Sequence, residues 1–246
     1  MAEPHPLQYF DRIFVINLPS RADRRAEMDR QLRAIGLSLE TPPVELFPAA
    51  RPKDAGGFET VGTRGCFMSH LGVLKKSVAT GCSRIAIFED DLNFVADFGC
   101  RLSPIIDRLK MDKWGIFYGG HRVQGAMTDD AGVQCIPPGI AISTTHFIAL
   151  SSPAMELAVE FFETLLARRS GDPEGGPMHV DGAYSWLRQR NPTIITYIAV
   201  PELGYQRSSR TDVHELRWFD RIPMFREVAG VARVLKNVRA NKKRMT

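Results

Sequence analysis

Cysteine is scarce in this chain: there are four in 246 residues, Cys66, Cys82, Cys100 and Cys135, and no two form a Cys-x-x-Cys pair. That is too sparse a set for a disulfide scaffold and the wrong spacing for a structural zinc site, so it points to a reducing compartment and to packing roles. No apolar run approaches the roughly 18 residues needed to span a membrane. There is no Gly-x-x-x-x-Gly-Lys phosphate loop, which ranks nucleotidyl or phosphoryl transfer last among the candidate chemistries. Internal repeats and low-complexity tracts are missing too. Met1-Ala-Glu-Pro-His-Pro6 carries an acid and two prolines where a secretory signal needs a basic start and an apolar core, so a soluble, cytoplasmic protein is expected.

An excess of one charge sign is also missing from most of the chain. The formal net charge is +4, yet from Arg221 onward eight Lys/Arg face only Glu227, a local +7 that leaves −3 for the remainder. The basic character therefore belongs to the tail, and the body gives no electrostatic case for nucleic acid binding. In the tail, Phe225, Val228, Val231, Val234, Leu235 and Val238 alternate with basic residues in an amphipathic helical pattern. Such a helix either packs on the body or rests on an anionic membrane surface. Residues 1–220 are expected to form one domain and 221–246 an appended basic helix.

What the chain does contain is a core large enough for a substantial domain, with 44% hydrophobic and 24% charged residues. Its central stretch is Ile85-Ala-Ile-Phe-Glu-Asp-Asp-Leu92. A short apolar run broken by three acids reads as a buried strand that delivers carboxylates to its C-terminal end, where open α/β sheets bind ligands. Adjacent acids repel one another, so a cation is their natural partner. If the chain stays extended, Glu89 and Asp91 project together and Asp90 points away. Two such oxygens suit Mn²⁺ or Mg²⁺, with positions left for water or a diphosphate. The alternative is a solvated acidic loop.

Arg12 to Leu18 is apolar on both sides, as a central parallel strand would be. Ser20 then reads as a helix N-cap, with Met28, Leu32 and Ile35 spaced along one face before Gly36. Asn17 ends the strand, and Arg21, Arg24 and Arg25 crowd the first helical turn. Cations there oppose the helix dipole, at about 0.3–1 kcal/mol each, unless an anion such as a nucleotide diphosphate compensates; ordinary solvated arginines are the alternative. Pro42 to Phe47 is a short strand candidate. After the loop from Arg51 to Gly62, Phe67, Leu71, Leu74 and Val78 recur at helical spacing up to Gly81. Ser69 and His70 fall off that stripe near a glycine-rich helix start, a place that favours phosphate. His70 bonded to a backbone carbonyl is the structural alternative.

Asn17-Leu-Pro-Ser-Arg-Ala-Asp-Arg-Arg25, Gly65-Cys-Phe-Met-Ser-His70 and Ile87-Phe-Glu-Asp-Asp-Leu92, in this order and at these separations, resemble glycosyltransferase family 25. That family includes lipooligosaccharide and lipopolysaccharide sugar transferases and collagen galactosyltransferase domains. The resemblance covers roughly the first 95 residues. It implies a GT-A-like α/β fold with a mostly parallel central sheet, a UDP-sugar donor and a divalent metal on the acidic cluster. It also implies inverting transfer, of galactose for preference, to a glycan or lipid-linked oligosaccharide. Glu89 and Asp90 would touch the nucleotide sugar along with Asn17, Arg21, Arg24, Arg25, Ser69 and His70. In Met178-His-Val-Asp-Gly-Ala-Tyr-Ser-Trp186, Asp181 matches the acid that the family places before a helix near the acceptor, which makes it the expected base; a plain N-cap is the alternative. His146 stands where the family pattern expects Gly, so acceptor specificity does not carry over.

The rest follows βα alternation. A helix is expected from Phe98 to Leu109, a strand from Trp114 to Tyr118 and a turn at Gly119-Gly120-His121. Further strands are expected at 132–136, 139–150 and 194–200, with a helix capped by Ser152 running to about Ala167. Gly171 to Pro177 reads as a flexible loop able to close over a donor. The polar stretch Gly204 to His214 offers Gln206, Arg207 or Ser209 to the phosphates; a solvated surface loop is the alternative. The resemblance to GT-A-like enzymes makes Asp212 and His214 candidates for the metal or the diphosphate, with His214 the expected third metal ligand. A nucleotide-sugar-binding module without turnover is the rival function.

Overall fold

The computed structural model describes residues 4–123 and 132–207. His214, Asp212, Ser209 and the basic tail, with its expected helix and membrane contact, lie outside the described residues.

The chain runs β1 (Arg12–Asn17), α1 (Ala22–Ala34), β2 (Val44–Pro48), α2 (Val61–Ala79), β3 (Arg84–Glu89), β4 (Leu92–Phe94) and α3 (Phe98–Met111). It continues through β5 (Ile116–Arg122), β6 (Val133–Cys135), β7 (Ser143–Ser151), α4 (Ser152–Ala167), α5 (Val180–Arg190), β8 (Thr196–Ala199) and β9 (Gly204–Gln206). The central sheet has the order β2-β1-β3-β7-β5-β8-β6. β2, β1, β3, β5 and β8 run one way and β7 and β6 the other, giving a mixed α/β sheet that is mostly parallel. Among the described residues, no helix is long and apolar enough to cross a membrane.

The unbroken apolar runs of β1 and β3 follow from burial on both faces. Phe14, Ile16, Ile85 and Ile87 face one core with Phe67 and Leu71 of α2, Phe162 of α4 and Tyr184 of α5. Ile13, Val15, Ala86 and Phe88 face the other, with Met28 and Leu32 of α1 and Leu102 and Ile105 of α3. Each fully buried Phe contributes about 1.5–3 kcal/mol of transfer free energy, so two cores sharing one sheet fix the strand ends firmly.

Several local expectations need correction. The α1 N-cap is Arg21, not Ser20, because the Arg21 amide closes a turn onto Leu18 O at 2.8 Å and starts the helix one residue later. The α4 N-cap is Ser151 rather than Ser152. Gly119-Gly120-His121 is strand, not turn. A Cβ on Gly119 would lie 2.3 Å from the Phe147 ring and one on Gly120 2.1 Å from His146 Nε2, so these glycines let β7 side chains lie across β5. Most important for function, β3 ends at Glu89. Asp90 and Asp91 form a turn, and β4 leaves the main sheet to pair antiparallel with β9.

Candidate active site

Ile16 of β1 is level with Glu89 of β3, which sets Asn17 beside Asp90 at the carboxyl edge of the sheet. A cleft of about 600 Å³ opens there, within the range of small-molecule sites, lined by the ends of β1 and β3, the first turns of α2 and α5, and the start of β7. Glu89, Asp90, Asp91, Arg24, Ser69, His70 and Asp181 all line it.

The turn after Glu89 overturns the expectation that Asp90 points away. Its carboxylate accepts from Asn17 Nδ2 at 2.7 Å and from Arg24 Nη1 at 2.9 Å. Once the extended path breaks, side chains no longer alternate, and all three acids line one cleft. Asn17 is 2% exposed and also donates to Arg21 O, so it holds the Asp90 turn against the helix start. Arg207, buried but lining the cleft, donates to Asp90 O at 2.9 Å and to Asn93 Oδ1 at 2.9 Å, which locks β9 to the same turn. Gln206 Nε2 donates to Asp91 Oδ2 at 3.2 Å.

These contacts treat the acids unequally. Burial raises Asp91 most, with the neighbouring Glu89 charge next, and its carboxyl is pushed up to about 7 although Arg24 lies 4.0 Å away. Asp91 Oδ1 is buried without a hydrogen-bond partner. Burial alone would raise Glu89 also, but the His70 ring and the Thr145 hydroxyl, which donates to Oε1 at 2.8 Å, outweigh it and hold the carboxyl below its usual range. Arg24 and Gln206 offset only part of the cost of burying Asp91 beside Glu89, so the pair favours a proton or a cation on Asp91.

Ser69 Oγ donates to Gly65 O at 2.6 Å and accepts from Ala50 N at 2.8 Å, tying the loop after β2 to α2. His70 is fully buried and meets Tyr184 Oη through Nδ1 at 3.3 Å rather than a backbone carbonyl. Asp181 sits in the first turn of α5, where the helix dipole favours an anion. Its Oδ1 accepts from Gly182 N at 2.8 Å and its Oδ2 from Thr144 N at 3.3 Å. Arg21 and Arg25 do not line the cleft. Arg21 forms a two-pronged ion pair with Asp23 of its own helical turn at 2.8 and 2.9 Å, which pulls that carboxyl down to about 2. His146 lies behind the site, where burial lowers its pKa and its Nε2 is 3.3 Å from Gly204 O.

Thr144, Thr145 and Cys66 are among the cleft residues that the sequence did not mark as functional. Thr144 has φ of 70°, a strained value for a β-branched residue, and thereby presents its amide to Asp181. Thr145 had no signature at all. Cys66 did: it stands four residues before His70 on α2, and both line the cleft.

The description "Glycosyltransferase family 25 (LPS biosynthesis protein)" matches residues 10–133, which is half of the chain. Relatives include the bovine "Probable inactive glycosyltransferase 25 family member 3", 29% identical over 156 residues that make up 56% of this chain and 26% of that protein. The human "Inactive glycosyltransferase 25 family member 3" is 30% identical, over 58% of this chain and 27% of its own length. Mouse "Procollagen galactosyltransferase 2" is 31% identical, over 46% of this chain and 21% of its own length. The chain thus spans about a quarter of the length of the curated relatives it matches. A looser likeness, at a TM-score of 0.47 and 11% identity over 81% of this chain and 93% of the other, is to a glycosyltransferase involved in glycosylation of the PBCV-1 major capsid. With its matched segment carrying the β1 end, the α2 start and the acid turn that build the cleft, the chain belongs to glycosyltransferase family 25.

Proposed function

We propose that this chain transfers a sugar, galactose for preference, from a UDP-sugar donor to a hydroxyl of a glycan or lipid-linked oligosaccharide, as in lipopolysaccharide or lipooligosaccharide assembly. The observation that carries the reading is the acid turn after β3, which brings Glu89, Asp90 and Asp91 into one cleft with Asp181. Arg24 and the first turns of α2 and α5 give the diphosphate positive poles. Asn17 and Arg207 act indirectly, by fixing the turn that bears the acids.

The residues fit a divalent cation: the buried Asp91 oxygen without a partner and the carboxyl raised by its surroundings are what a hard cation relieves. Glu89 and Asp91 would hold Mn²⁺ or Mg²⁺, which when bound supplies Lewis-acid stabilisation of the departing UDP. Asp181 takes the proton of the attacking hydroxyl, and the amides of Gly182 and Thr144 aim its carboxylate. Attack on the face opposite the leaving diphosphate inverts the anomeric centre. A cytoplasmic location, with the basic tail on an anionic membrane, would bring a lipid-linked acceptor to the cleft.

A second reading, a nucleotide-sugar-binding module without turnover, is favoured by the bovine and human relatives described as inactive. Incubation with UDP-galactose or UDP-glucose and Mn²⁺, read as released UDP, separates the two. Release that disappears in Asp91→Ala supports transfer, full activity in Asp91→Ala removes the metal assignment, and UDP binding without release from any donor supports the second reading.

A further inference from the structure

Cys66 and His70 lie four residues apart on α2 and so share one face, and Glu89 ends β3 beside them. A sulfur, a ring nitrogen and a carboxylate oxygen, one from each, lie within 4.8 Å of one another. His70 is fully buried, yet its Nε2 has no hydrogen-bond partner, although Glu89 Oε1 is only 3.5 Å away. In the tautomer where Nδ1–H donates to Tyr184 Oη, Nε2 turns a lone pair toward the Glu89 carboxylate, a repulsion that a proton on Nε2 or a cation seated between the two relieves. A 3.5 Å separation is close to the edge of about 3.4 Å expected for a tetrahedron with N and O bonds of about 2.1 Å.

We propose that Cys66, His70 and Glu89 form a binding site for one borderline-soft divalent cation, best matched by Zn²⁺, with its fourth position open to the cleft. Sulfur and imidazole donors are poor for Mg²⁺ or Mn²⁺ and good for Zn²⁺, so this set differs in kind from the oxygen pair Glu89 and Asp91. All three residues line the cleft, which is the side from which an ion reaches the buried His70 nitrogen. Outer contacts orient two of the ligands: Tyr184 on His70 and Thr145 on Glu89. Sparse cysteines argued against zinc at the level of sequence. One suffices here because α2 and β3 supply the other two donors. Glu89 belongs to both sets, so Zn²⁺ draws it away from the oxygen pair and inhibits Mn²⁺-supported transfer; that consequence, unlike binding itself, rests on the proposed function.

The test uses the metal-stripped full chain titrated with Zn²⁺ against a chromophoric chelator, and with Co²⁺ as a spectroscopic reporter of thiolate ligation. One tight Zn²⁺ per chain is expected, with affinity falling roughly 100-fold or more in Cys66→Ser and in His70→Gln. The Co²⁺ thiolate band should vanish in Cys66→Ser and persist in Cys82→Ser. Unchanged Zn²⁺ affinity in folded Cys66→Ser or His70→Gln, or no preference for Zn²⁺ over Mn²⁺ in the wild type, overturns the site. Both readouts are independent of turnover, so a protein that transfers nothing still decides the question.

Discussion

Replacing Asp91 by Asn should stabilise the metal-free protein, a result opposite to that expected of an ordinary buried acid with partners. The Asp91 carboxyl is raised from 3.8 to about 7, chiefly by burial and then by Glu89. A carboxyl raised in the folded state binds its proton more tightly there than in the unfolded chain. Folding is therefore unburdened near pH 4 and loses stability as pH rises toward 7. Raising the carboxyl from 3.8 to about 7 corresponds to about 4 kcal/mol above pH 7. Asn keeps the shape but offers Gln206 and Arg24 a weaker partner, which offsets roughly 1–2 kcal/mol. The net gain for Asp91→Asn at pH 8 is then roughly 2–3 kcal/mol, or about 4–12 °C in Tm for a chain of this size, and close to zero at pH 4.5. Thermal melts in EDTA at the two pH values measure it, and repeating them with Mn²⁺ should raise wild type but not the variant. A variant equally or less stable than wild type at pH 8 would show Asp91 to be a satisfied structural residue instead.

Asp181→Asn should abolish transfer while UDP affinity, read by calorimetry, stays within a few-fold of wild type. Asn17→Ala removes a buried hydrogen bond to the Asp90 carboxylate, and denaturant melts should show a loss of about 1.5–3 kcal/mol. Gly119→Ala drives a methyl into the Phe147 ring, so a loss of about 1–3 kcal/mol is expected by the same assay, relieved in Phe147→Leu.

The sheet was legible because its two inner strands are apolar on both faces, a pattern that little else explains. β1 and β3 sit where those runs lie, and α2 follows its buried stripe of Phe67, Leu71 and Leu74. The acid cluster was also visible as a cluster, but not its shape. Strand alternation applies only while the chain is extended, and what ends β3 at Glu89 is the pairing of β4 with β9, more than a hundred residues away in sequence. Asn17 showed its place at a strand end but not its partner Asp90, since the β1–β3 register is a tertiary fact. Arg21 looked identical to Arg24 from sequence. One turns to Asp23 on its own helix and the other to Asp90 in the cleft. The left-handed Thr144 could not be read at all, because nothing in a threonine announces a positive φ.

Crystals soaked with UDP and Mn²⁺ and measured at the manganese edge would locate the cation and the nucleotide in one experiment. An anomalous peak is expected in contact with the Asp91 and Glu89 carboxylates and with the diphosphate. UDP bound in the cleft with the manganese elsewhere, or UDP bound outside the cleft, would contradict this expectation.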